Sequence, residues 1–141
     1  MTARERFAAA RVARLATTGP DGPHIVPIVF ALAGDTLYHA VDDKPKRTQA
    51  LKRLANVRAD PRVSVLADAY DEDWSRLWWA RADGTASILA PGHAEALALL
   101  AERYPQYRDA PPQGPVIAIR VTRWSDWTAG AAPRPGGRAG S

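Results

Sequence analysis

A chain of 141 residues with a net charge of +4 is sized for one domain, large enough to bury a core without help from metals or crosslinks. It has no cysteine, which excludes disulfide frameworks, zinc–thiolate sites and thiol catalysis together. No stretch reaches the ~18 apolar residues of a membrane span, and Met1 to Arg14 is too charged for a secretory leader, so the expectation is a soluble cytoplasmic protein.

Thr2 to Val12 reads as a helix, with Thr2 and Glu5 spaced as a capping box. Ala13 to Thr18 alternates as a strand, Gly19-Pro20-Asp21-Gly22 turns, and His24 to Leu32 forms the second arm of a hairpin. Pro27 cannot donate to a ladder, so that arm has an edge or a bulge there. Ala33-Gly34-Asp35 is a turn and Thr36 to Val41 a third strand, giving a meander that closes more readily as a barrel than it stays open.

Between this strand and a helix over Gln49 to Val57 lies Asp42-Asp43-Lys44-Pro45-Lys46-Arg47-Thr48. Lys44, Lys46 and Arg47 supply cations, and the first free N–H groups of the helix supply directed donors, which together suit a phosphate. A solvated basic turn would carry the same residues. In the helix, Leu51, Leu54 and Ala55 share a face, with Lys52 and Arg53 outward. Arg62 to Ala69 is a fourth strand, read as buried on both faces.

The segment from Asp68 to Trp79 is acidic and then aromatic. Asp71 and Asp73 lack the spacing and the histidine that would favour a metal over a solvated loop. Trp78 and Trp79 open a fifth strand, Leu77 to Leu89, interrupted at Ala82-Asp83-Gly84. Neighbours in a strand face opposite ways, so one indole packs inward and the other lines a surface, a planar ligand or a subunit interface. His93 to Tyr104 is a helix, Gln106 to Gly114 a loop, and Pro115 to Val121 the last strand; Ala129 to Ser141 has nothing to bury and reads as a disordered tail after a domain over 1–128. The fold class is thus mainly β with helices, a six-stranded antiparallel barrel with three flanking helices.

His24, His39 and His93 lie far apart, and no P-loop or GxGxxG follows a strand. The basic strand–helix corner, the proline-interrupted strand and the aromatics that remain bind well and perform acid–base chemistry poorly, so any reaction is a cofactor's. A modest positive field suits an anionic small ligand; the arginines are too scattered to make a nucleic-acid stripe.

At Leu15-Ala16-Thr17-Thr18, Asp43-Lys44-Pro45-Lys46, Asn56 to Ser64, Asp71 to Trp74 and Trp79 to Ala86, in that order, the chain resembles the split β-barrel flavin and deazaflavin oxidoreductases, the pyridoxamine-phosphate-oxidase-like group, and within it the branch that binds coenzyme F420. The resemblance implies a homodimer with two cofactor sites at the subunit interface. It implies that Lys44, Lys46 and Arg47 grip the cofactor phosphate. Pro27, Ile28 and Val29 would offer backbone contacts to the ring, Thr17 and Thr18 would lie at its pyrimidine end or linker, and Trp78 or Trp79, from the partner, would close the pocket. No catalytic side chain and no metal is implied. The helix after Lys46 is longer than in that branch, so Asn56 is not placed among the contacts. The reading is an F420-dependent oxidoreductase passing a hydride to an unsaturated small molecule. Its alternatives are an FMN-dependent reductase or oxidase of the same fold, a non-catalytic F420- or haem-binding carrier or sensor, and a nucleic-acid-binding barrel.

Overall fold

The computed structural model describes residues 1–41 and 47–130, without the side chains of 47–51. The elements run α1 (Ala3–Ala9), β1 (Ala13–Gly19), β2 (Gly22–Ile28), β3 (Ala31–Ala33), β4 (Thr36–Ala40), α2 (Arg47–Ala59), β5 (Arg62–Ala69), a 3-10 turn (Trp74–Arg76), β6 (Trp78–Leu89), α3 (Ala94–Arg103), α4 (Gln106–Asp109) and β7 (Val116–Thr128). The expected antiparallel β fold with flanking helices is present, with a seventh strand and a fourth, one-turn helix among the described residues.

The extra strand comes from the run His24 to Leu32, which divides at Val29 and Phe30. The sheet order is β2-β1-β5-β6-β7-β4-β3, so β2 and β3 are the two edges although only two residues separate them. Three Cα steps span at most about 11 Å, whereas the edges of a flat seven-stranded sheet lie about 29 Å apart. The sheet is therefore curled until its edges almost meet, yet the ladder does not close. The anticipated meander is replaced: β2 pairs with β1, and β4 pairs with β3 and β7. Pro27 lies on the edge strand, where its missing N–H costs no ladder bond.

The unclosed seam is held by side chains. The Tyr104 hydroxyl accepts the buried Phe30 N–H at 3.1 Å and has the Phe30 and Arg11 carbonyls within 2.9 and 3.0 Å. Arg103 donates to the Phe30 carbonyl at 3.1 Å and also to the Ala10 carbonyl. Inside the curl, Phe7, Leu15, Phe30, Leu37, Val65, Ile117 and Ile119 form the main core, with Phe7 edge-on to Phe30 and Trp124. On the far side of β3, β4 and β7, α3 buries Ala96 and Leu100 against Ala31, Tyr38 and Val116.

Several local expectations change. Strand β5 buries one face only, with Val63, Val65 and Ala67 in the core and Asp68 exposed; the alternation of the strand decides this. The interruption at Ala82-Asp83-Gly84 is a bulge within one continuous strand, where the register against β7 shifts. Gly84 is required there, because a Cβ would overlap the Arg120 carbonyl oxygen. Strand β7 runs on to Thr128 and takes Trp124 and Trp127 into the sheet. Thr2 and Glu5 form the capping box anticipated for α1. The tail from 131 lies outside the described residues.

Candidate functional site

Helix α2 carries the first half of the site. It starts directly after the basic turn and lies over β1 and β6. Among its described side chains Leu54, Asn56 and Val57 are buried while Ala55 is exposed, so the buried face keeps Leu54 of the face read in the sequence and turns Asn56 and Val57 inward in place of Ala55. Arg53 turns inward with them; of the two basic residues expected outside, only Lys52 is exposed.

Two polar contacts, one helical turn apart, fix this orientation. Asn56 Nδ2 donates to the buried Thr17 Oγ1 at 3.1 Å. Gly19 leaves room for it, since a Cβ there would lie 2.6 Å from the Asn56 amide oxygen. Arg53 Nη1 lies 2.7 Å from His39 Nε2. A guanidinium can only donate, so Nε2 is the acceptor, and the ring proton sits on Nδ1, which donates to the Val29 carbonyl at 3.1 Å. Burial, then the Arg53 charge, push the His39 pKa down to about 3, against the Val29 hydrogen bond, so the imidazole is neutral at physiological pH. Burial also lowers the Arg53 pKa. Arg53 Nε is buried without a hydrogen-bond partner, and among the described residues no carboxylate pairs with Arg53.

The outer face of the sheet is the second half. Register places Pro27, Arg14, Leu66, Arg81 and Ser125 in one row across five strands, and Ile25, Ala16, Ser64 and Asp83 in the next. Along the neighbouring row, Asp68, Trp79 and Trp127 stand side by side. A cleft of about 350 Å³ opens here, walled by Leu66, Ala69, Tyr70, Leu77, Trp79 and Trp127. Its charges are paired: Arg14 with Asp68 at 2.9 Å, and Arg81 with Asp83 at 3.2 Å. Ser64 donates to Asp83 at 2.6 Å.

Strand alternation sorts the expected ring contacts into two groups. Thr17 and Ile28 point into the curl and are buried, and Trp78 packs on the core under the Arg6 guanidinium while one edge of it borders the cleft beside Trp79. Thr18, Pro27 and Trp79 belong to the outer face. The tryptophan pair divides as anticipated, one inward and one outward. Val29 sits on the seam with its carbonyl occupied by His39. Lys44 and Lys46 lie outside the described residues, as does the side chain of Arg47, the first residue of α2.

His39 and Arg53 were not singled out by sequence. The signal that could have found them is spacing: Arg53, Asn56 and Val57 stand at i, i+3 and i+4 and share a face. Asp71 and Asp73 serve the turn: the Asp73 N–H donates to Asp71, and the Asp73 carboxylate caps the 3-10 turn through Ser75. His93 caps α3 by accepting the Ala96 N–H. No group of three His, Asp or Glu among the described residues could hold a metal ion, and no helix among them is long and apolar enough to cross a membrane.

A family model described as pyridoxamine 5'-phosphate oxidase matches residues 2–128. Among solved structures, a FAD-binding protein from Mesorhizobium loti is 22% identical with a TM-score of 0.65, over 88% of this chain and 90% of that one. A protein described as an F420 reductase is 22% identical with a TM-score of 0.63, over 86% and 94%. A haem-binding protein from Mycobacterium smegmatis is 20% identical with a TM-score of 0.69, over 92% and 55%. No curated protein matches the chain.

Proposed function

Since the chain belongs to the pyridoxamine 5'-phosphate oxidase family, with a match over residues 2–128, we propose that it is a cytoplasmic, flavin-type oxidoreductase that uses coenzyme F420 and works as a homodimer. The family match carries this reading, and the F420 reductase among its structural neighbours directs it to the deazaflavin. The residues present suit a flat, phosphorylated molecule. A half-buried guanidinium faces the interior with no carboxylate partner among the described residues, and an apolar, indole-lined cleft opens on the outer face.

Bound there, reduced F420 would supply a hydride to an electron-poor double bond of a small acceptor, with the second hydrogen taken up as a proton from solvent. The chain's own residues hold and shield. Lys44, Lys46 and Arg47 neutralise the phosphate at the start of α2. Thr18, Pro27 and Trp79 present the outer face to the ring, and a second copy covers that face and excludes water. No side-chain acid is assigned.

The test is a fluorescence titration with F420 beside FMN, followed by an acceptor screen with reduced F420. F420 should bind, and Lys44→Ala with Lys46→Ala should weaken it by about 100-fold, the value of two charge-assisted contacts, with unfolding unchanged. A protein that purifies yellow and prefers FMN would replace the deazaflavin by a flavin. Tight F420 or haem binding without turnover of any acceptor would make it a carrier.

A further inference from the structure

We propose that Arg53 is an anion-binding residue of the interior, that its ligand is a phosphate ester, and that His39 is the residue that positions it. The identification of that phosphate with the cofactor's rests on the function proposed above.

Arg53 carries its charge in a half-buried position on α2. Such a charge is normally compensated, because removing it from water is unfavourable unless a partner is supplied. Here the contacting group is an imidazole whose Nε2 lone pair accepts from Nη1 at 2.7 Å. A neutral acceptor satisfies one N–H and, among the described residues, leaves the charge unmet. Arg53 Nε is shut away from water with no acceptor, and no described carboxylate is within ion-pair distance. The planar fork of a guanidinium matches two oxygens of a phosphate side by side.

The placement suits a ligand anchored at the start of α2. Arg53 is six residues beyond Arg47, about 9 Å of helix rise, and long helical side chains lean back toward the helix N-terminus. His39 makes the fork directional. Its Nδ1–H is tied to the Val29 carbonyl at 3.1 Å, so the ring cannot turn and Nε2 faces Arg53. Val29 is a seam residue, so the relay Val29–His39–Arg53 joins the seam to the interior face of α2. Asn56 and Thr17, one turn along, hold the helix at the other side.

Four titrations test this, with F420, FMN, riboflavin and inorganic pyrophosphate, alongside thermal unfolding. Riboflavin shares the FMN ring and lacks the phosphate. Arg53→Ala should weaken F420 and FMN by about 10- to 100-fold, as expected for a charge-assisted contact, and change riboflavin by less than about 2-fold. It should also abolish the rise in melting temperature that pyrophosphate gives the wild type. His39→Leu leaves Arg53 in place, so it keeps the test open should Arg53→Ala not fold; it should reproduce the selective loss. His39→Gln, whose amide can donate to Val29 and accept from Arg53, should restore most of it. Equal losses for FMN and riboflavin, or no loss for either, would overturn the proposal. If the wild type binds neither F420 nor FMN, the function proposed above fails, and the pyrophosphate shift in wild type against Arg53→Ala decides this inference alone.

Discussion

The two faces of the curled sheet meet opposite fates. On the inner side polar groups are tied, the Arg53 Nε and its charge excepted: Asn56 to Thr17, Arg53 Nη1 to His39, His39 to Val29, and the backbone of Phe30 to Tyr104 and Arg103. On the outer side, Ile25 is 64% exposed, and Pro27, Leu66, Trp79 and Trp127 line a surface that none of the described residues covers. Burying polar groups requires that each find a partner; a contiguous apolar surface requires that something else cover it. The difference separates what the chain completes by itself from what it completes only with a ligand or a second copy.

The strongest way to break the contrast is to damage both faces together. Gly84 lies at the bulge where the outer cluster of Ser64, Arg81 and Asp83 is aimed, and it touches the Arg120 backbone. Gly84→Ala should cost about 3 kcal/mol or prevent folding, since backbone cannot yield as a side chain can. A urea midpoint close to the wild type would mean that the bulge is plastic. Tyr104→Phe tests the seam alone. Loss of the hydroxyl strands the buried Phe30 N–H, so stability should fall by about 1–3 kcal/mol while the outer face is untouched. An unchanged midpoint would show that the seam does not depend on this clamp.

A milder test titrates the inner face. His39 takes up its proton at about 6.5 when unfolded and only near 3 when folded. The unfolded state therefore binds more protons as pH falls through 6.5. The stability associated with neutral His39 is complete above that value and declines from there toward pH 3, at up to about 1.4 kcal/mol per pH unit. The groups that face the ring are the Arg53 guanidinium and the Val29 carbonyl. Urea unfolding between pH 7 and 5 should weaken in the wild type and slope less in His39→Gln. Parallel profiles would mean that the interior admits the proton.

Local chemistry made much of this fold legible. The capping box of α1, the turn after β1, the edge placement of Pro27 and the division of Trp78 from Trp79 all follow from short-range rules about caps, φ angles and alternation. The order of strands did not, because pairing β4 with β7 and sending the chain from one sheet edge to the other at Val29 are non-local choices. The site was half legible for a related reason. A basic residue beside Lys52 reads as a solvated face, and only its pairing with His39, fourteen positions away, gives Arg53 a place inside. Polar residues that are buried because they are paired look, in a sequence, like polar residues left in water.

The smallest expected effect on stability carries the sharpest test of the outer face. Ile25 projects from edge strand β2 opposite Ala16, and 64% of it is exposed. Burying a charge there costs the isolated chain nothing, so Ile25→Glu should move its urea midpoint by no more than about 0.5 kcal/mol. If a second copy covers this face, the same glutamate is trapped opposite apolar surface without a partner, and the dimer should dissociate by about 100-fold more readily. Sedimentation should then find wild-type dimer and variant monomer at one concentration, with F420 affinity falling alongside. A variant that stays dimeric would move the second copy to another surface. A variant that unfolds would mean that Ile25 supports the chain's own fold, and the contrast between a finished interior and an unfinished exterior would fail at this residue.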